Sequence, residues 1–151
     1  MITSLSFDAR FQSGLLVLLL TDSDFFNLVI EDLEYSHFSA GEGYVKLFKV
    51  IKNRHKKTRL FTTLKTIKNL LIGLKDNGQF SDPELYGLNS ILEMGQTLVH
   101  SEFEFVKEHV FDFLRKQTVA LAFAKSIEFF DKNDYDQMYD IMNKKLTNVF
   151  L

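Results

Sequence analysis

His100, Glu104 and Glu108 in "HSEFEFVKEH" stand at i, i+4 and i+8, on one face of a helix, where an imidazole and two carboxylates could hold a metal ion. Such side chains are also routine on solvated helix faces, and His100 precedes the expected helix start. A metal site would need supporting groups that the surrounding sequence does not announce. Glu34 and His37 in "EYSH" form one Glu-x-x-His, whereas a di-iron bundle takes two such motifs and two further glutamates on facing helices. Cysteine is absent, no Ser stands in a GxSxG elbow, and "GEGYVK" and "GLKDNG" both fail the phosphate-loop pattern GxxxxGK[ST]. The expectation is a chain with no catalytic residue, no metal ligand and no cofactor of its own.

The other candidate chemistry is electrostatic. "VKLFKVIKNRHKKTRL", residues 45–60, carries seven Lys or Arg in a chain of formal net charge -2. Lys46, Lys49, Lys52 and Lys56 follow one another at spacings of three, three and four, which predicts one solvated helical face. Arg54, His55, Lys57 and Arg59 continue around the helix end, where cations suit the helix dipole. The competing reading is contact with DNA or with an acidic partner. A nucleic-acid groove also wants aromatics on the exposed face, and Tyr44 and Phe48 fall on the apolar side.

The elements that position these residues follow from composition. At 151 residues the chain is one ordinary domain that can bury roughly 70% of its unfolded surface. Sixteen Phe, no Trp, seven Gly and a single Pro argue for long uninterrupted helices. "GLLVLLLTD" holds six consecutive apolar residues between Gly14 and Thr21, far short of the ~20 that span a bilayer, and reads as a buried helix. No leader or membrane anchor is expected, and the absence of cysteine fits a reducing, cytoplasmic setting.

The spacing predicts a helix ending near Thr21 and a short one capped by Ser23. A third helix should run from Tyr44 to His55, after a loop broken by Gly41 and Gly43. The fourth opens at Thr58 or Thr62 and stops at Gly78, which is expected to be left-handed. The fifth starts with a capping box at Ser81 and Glu84 and Pro83 in its first turn. A second box at Ser101 and Glu104 opens a run without Gly or Pro through Lys132, a helix of roughly 45 Å whose apolar middle "VALAFA" should be buried on more than one side. "KND" then gives a very short connection to a last helix capped by Asp134. Short links join antiparallel neighbours.

The expected fold class is all-α: residues 1–100 form a helical globule of about five helices, and residues 101–151 an antiparallel helical hairpin. A projecting hairpin rich in Phe, Met and Tyr needs a cover. The expected self-association surface is Phe123, Ile127, Phe130, Tyr135, Met138 and Met142.

"LLTDSDFFNLVIEDLEYSHFSAGEGYVKLFKVIKN" and "YDIMNKKLTNVF" resemble the amino-terminal domain of DnaB-type replicative DNA helicases, most closely the branch of T4-like bacteriophages. The matching positions include Leu18 to Leu20, Asp22, Phe25, Phe26 and Val29. Further on they include Leu33, Phe38, Phe48, Lys49 and Ile51, with Thr62, Thr63 and Leu64 opening the next helix. A bacterial-type "PHR" before the third helix is replaced by "AGEGY", and no Pro-rich lead-in precedes residue 14. The resemblance, over about residues 14 to 150, implies a helical globule plus hairpin whose hairpins pair between subunits, six copies forming a collar of three dimers that contacts primase or a helicase loader. It implies that ATP and Mg are used by a RecA-like motor domain outside these residues, and that single-stranded DNA is met weakly or indirectly. Two other readings stay open: a freestanding helical nucleic-acid-binding regulator, and a phage-encoded decoy or loader-like protein that borrows the collar fold.

Overall fold

The computed structural model describes residues 7–146, whose regular elements are all helical, with no strand among the described residues. The order is α1 (Ala9–Thr21), α2 (Ser23–Val29), a 3-10 turn (Tyr35–His37), α3 (Glu42–Thr58), α4 (Leu64–Asp76), α5 (Asp82–Gln96), α6 (His100–Asp131) and α7 (Tyr135–Ile141), followed by a π-helical turn (Met142–Leu146). No helix among the described residues is long and apolar enough to cross a membrane. The chain forms two compact units, Met1–His109 and Val110–Leu151, whose boundary falls inside α6.

In the first unit α1 is the central element, with every residue from Phe11 to Leu20 buried. The apolar run Leu15–Leu20 accounts for most of that burial, and the two buried polar residues before it are satisfied by their surroundings. Gln12 accepts from the backbone N–H groups of Ser39 and Ala40, both at 3.0 Å, and the hydroxyls of Ser13 and Tyr44 lie 3.1 Å apart. Around α1 the core is built from Phe26, Phe48, Leu33, Leu47, Ile51 and Ile67. Burying each such side chain is worth about 1.5–3 kcal/mol.

Several local expectations hold. Gly78 is left-handed (φ 81°), with its N–H on Lys75 O and the Gln79 N–H on Leu74 O, which closes the end of α4. Ser81 and Glu84 form the capping box of α5, with Pro83 in the first turn. Asp134 caps α7 by accepting from the Gln137 N–H at 3.2 Å.

Other boundaries differ, and each has a physical reason. The cap of α2 is Asp22, not Ser23: its carboxylate accepts from the Phe25 N–H at 3.0 Å and also receives Lys107 at 2.8 Å. Gly43 lies inside α3 rather than before it, because a Cβ there would meet Ile91 Cδ1 at 2.9 Å; the glycine serves close packing on α5. Thr63, not Thr58 or Thr62, caps α4. α6 begins at His100, one residue before the expected cap Ser101. The Val99 N–H donates to Glu102 at 3.1 Å, so Glu102 supplies the carboxylate assigned to Glu104. "VALAFA" is not enclosed: Ala122 is buried, while Leu121 and Phe123 are exposed. Among the described residues of its unit, seven-residue α7 and the π-helical turn after it are too short to surround α6.

α6 has 32 residues and is about 48 Å long. It ends in a turn in which Asn133 takes the left-handed conformation (φ 58°), its N–H on Phe130 O and the Asp134 N–H on Phe129 O.

Candidate functional site

Each unit carries one surface with functional character. In the unit of residues 1–109 it is α3. Its inward stripe of Tyr44, Leu47, Phe48 and Ile51 is buried, and this sets where the cations point. Lys52 does not join the solvated face. It is 8% exposed and donates to the carbonyl oxygens of Ile30 and Leu33, closing the chain that follows α2. The i, i+3 spacing was correct for a helix face, but the face reaches the α2 end at that residue.

The remaining cations divide. Lys46 is engaged by Glu84 at 2.8 Å and Glu42 at 3.4 Å, which push its pKa up. Lys49 stands over the ring of Tyr35 at 4.3 Å from its centre, and that ring is 50% exposed. Lys56 and Lys57 are exposed. His55 is buried against Phe26 and faces Glu31 across 3.1 Å, holding the Glu31 carboxyl below its usual range.

The exposed aromatic that the sequence did not place beside the lysines is therefore Tyr35. It lies fourteen residues upstream of Lys49, in the 3-10 turn, where helical periodicity gives no signal.

Beside that surface, and sharing Lys49 and Asn53 with it, an open groove of about 440 Å³ runs between α3 and α4. Its floor is Val50, Leu70, Leu74 and Phe80; Arg54 and Lys57 stand on its α3 rim.

In the unit of residues 110–151 the expected association residues lie on the surface. Phe123, Ile127 and Phe130 are 51%, 60% and 57% exposed, at helical spacings of four and three along α6. Tyr135 and Met142 are also exposed, and Met138 is half-buried. Tyr139, four residues after Tyr135 and outside the expected set, is exposed as well. The Phe130 and Tyr135 ring centres are 6.0 Å apart, so the two stripes meet at the turn. Ala122 and Ser126, on an adjacent stripe of α6, are buried. Of the expected hairpin (101–151) and of the segment "YDIMNKKLTNVF", residues 147 onward lie outside the described residues.

The candidate metal ligands do not converge. His100 approaches Glu104 only to 3.9 Å, Glu104 takes Lys107 at 3.6 Å, and Glu108 lies beside His109. His37 Nδ1 accepts from the Glu34 backbone N–H at 2.9 Å, so the Glu-x-x-His pair closes a 3-10 turn. Among the described residues no three His, Asp or Glu side chains are grouped to hold a metal ion.

Comparison with protein-family models, with curated proteins and with solved structures finds no match to this chain.

Proposed function

We propose that this chain is the amino-terminal collar domain of a DnaB-type replicative DNA helicase of the phage branch, an assembly and docking module that works in the cytoplasm. The observation that carries this reading is the continuous exposed apolar face of Phe123, Ile127, Phe130, Tyr135 and Tyr139, joined at the Phe130–Tyr135 contact. An exposed patch of this kind is an association surface. The left-handed turn at Asn133 supports α7 folding back along α6 as an antiparallel hairpin, and the burial of the small residues Ala122 and Ser126 suits a close helix neighbour. Pairing of two such hairpins gives the dimer from which a ring of six is built. Primase or a loader docks on the assembled collar, and ATP with Mg serves a motor domain beyond these residues.

Sedimentation over a range of concentrations tests the reading. The parent chain should reach a dimer or a higher species, and Phe130→Asp or Ile127→Asp should hold it as a monomer, because association would bury an unpaired carboxylate. A parent that is monomeric throughout, or variants that associate as the parent does, would overturn it.

A second reading is favoured by one contact: Lys49 over the half-exposed ring of Tyr35, with Lys56 nearby, offers a stacking surface beside cations. In that reading the first unit binds single-stranded nucleic acid. Affinity for a labelled oligonucleotide should fall steeply with salt, and Tyr35→Ala should weaken it. Salt-independent or undetectable binding sinks it.

A further inference from the structure

The groove between α3 and α4 has a shape and charge that neither surface above uses. Lys46, Val50, Asn53 and Lys57 line it at helical spacing, so it follows α3 over twelve residues, about 16 Å. That is the length of three helical turns. The floor is aliphatic with one ring, and Val50, Leu70, Leu74 and Phe80 are all half-buried, so apolar surface there is incompletely covered.

The rim has one sign. No carboxylate lines the groove, although acidic residues outnumber basic ones in the chain, 20 to 18. Lys46 at one end is engaged by Glu84, and Lys49 rests on Tyr35. Arg54 and Lys57 make no ion pair among the described residues. An apolar trough about three turns long beneath unneutralised cations selects its occupant by complementarity.

We propose that this groove docks an acidic amphipathic helix of a partner protein, with aliphatic side chains on the floor and Asp or Glu flanking them to meet Arg54 and Lys57. Nucleic acid fits the groove less well. Its bases would need flat rings to stack on, and Phe80 is the only ring in the lining. The inference stands on the groove alone, whether or not the face of residues 110–151 pairs.

The probe is a fluorescein-labelled synthetic helix of about twelve residues, with leucines at i, i+4 and i+7 and glutamates on both flanks. Anisotropy titration of the full chain is expected to show saturable binding that weakens with salt. The double variant Arg54→Glu, Lys57→Glu should weaken it about tenfold or more, and Leu74→Asp should abolish it. Arg54→Gln with Lys57→Gln, which removes charge without adding repulsion, should give an intermediate loss at unchanged melting temperature.

Three results would overturn the proposal: a scrambled peptide of equal charge binding as well as the probe, charge reversal leaving affinity unchanged, or no binding at all. An oligonucleotide that displaces the peptide and loses affinity in the same Arg54 and Lys57 variants would assign the groove to nucleic acid instead.

Discussion

Lys52 Nζ lies 2.9 Å from the carbonyl oxygen of Leu33, inside the first unit, and shares its remaining protons with the carbonyl of Ile30. A lysine that reads as one of four on a wet face is thus the closure of the segment after α2. Charge-assisted bonds to two carbonyls in a buried setting make it a stability residue, so Lys52→Ala should cost about 2–3 kcal/mol. Lys49→Ala and Lys56→Ala should stay within about 0.5 kcal/mol, as exposed positions do. Urea denaturation followed by circular dichroism separates the two classes, and equal losses for all three would remove the distinction.

What could be read from the chain was what depends on neighbours in sequence. Gly78, the Ser81–Glu84 box with Pro83, and Asp134 as a cap each depend on atoms a few residues apart, and each was legible. Cap positions missed by a residue or two, at Asp22, Thr63 and Glu102, are local slips, whereas three larger failures involve a partner far along the chain. Gly43 is a packing glycine because Ile91 approaches it, and Lys52 turns inward because α2 ends there. Tyr35 lies beneath Lys49 because the 3-10 turn brings it there. The "VALAFA" error is of a second kind: an apolar helix predicts something that covers it, but cannot say whether this chain supplies the cover.

Gly95 and Gly87 lie on the same helix, α5, and should respond oppositely to one methyl group. A Cβ on Gly95 would fall within 2.3 Å of the Ser13 carbonyl oxygen and 2.5 Å of Val17 Cγ2, so α5 could no longer lie against α1. Gly95→Ala should cost about 1–3 kcal/mol by overpacking. A Cβ on Gly87 meets nothing within 4 Å, and Gly87→Ala should stabilise by about 0.5–1 kcal/mol through the helix backbone alone. Thermal melts of the two variants check both signs.

Asn133 holds a left-handed conformation at the end of α6 that alanine adopts only with strain. Asn133→Ala should therefore cost about 1 kcal/mol. Asn133→Gly should be tolerated, because glycine enters that region freely. An alanine variant that melts with the parent would show that the turn is not held at this φ.

Arg10 and Glu102 tie the start of α1 to the first turn of α6, with Arg10 Nη2 2.7 Å from Glu102 Oε1 and a second contact from Nε. The guanidinium first, and the Val99 N–H after it, hold the Glu102 carboxyl down to about 2 from an ordinary 4.5. A carboxyl whose folded pKa is depressed contributes stability that is complete above its unfolded value and lost as pH falls toward the folded one. The contribution should thus be whole near neutral pH, decline below about pH 4.5 and vanish near pH 2. Both groups are open to solvent, which screens the pair and keeps the effect to a few degrees of melting temperature. Melting Glu102→Gln beside the parent from neutral to strongly acidic pH reads it directly: the gap between the two should be widest near neutrality and close as the carboxylate is protonated. A gap that stays constant across that range would mean that the glutamine disturbs packing at the start of α6 and that the ion pair contributes nothing.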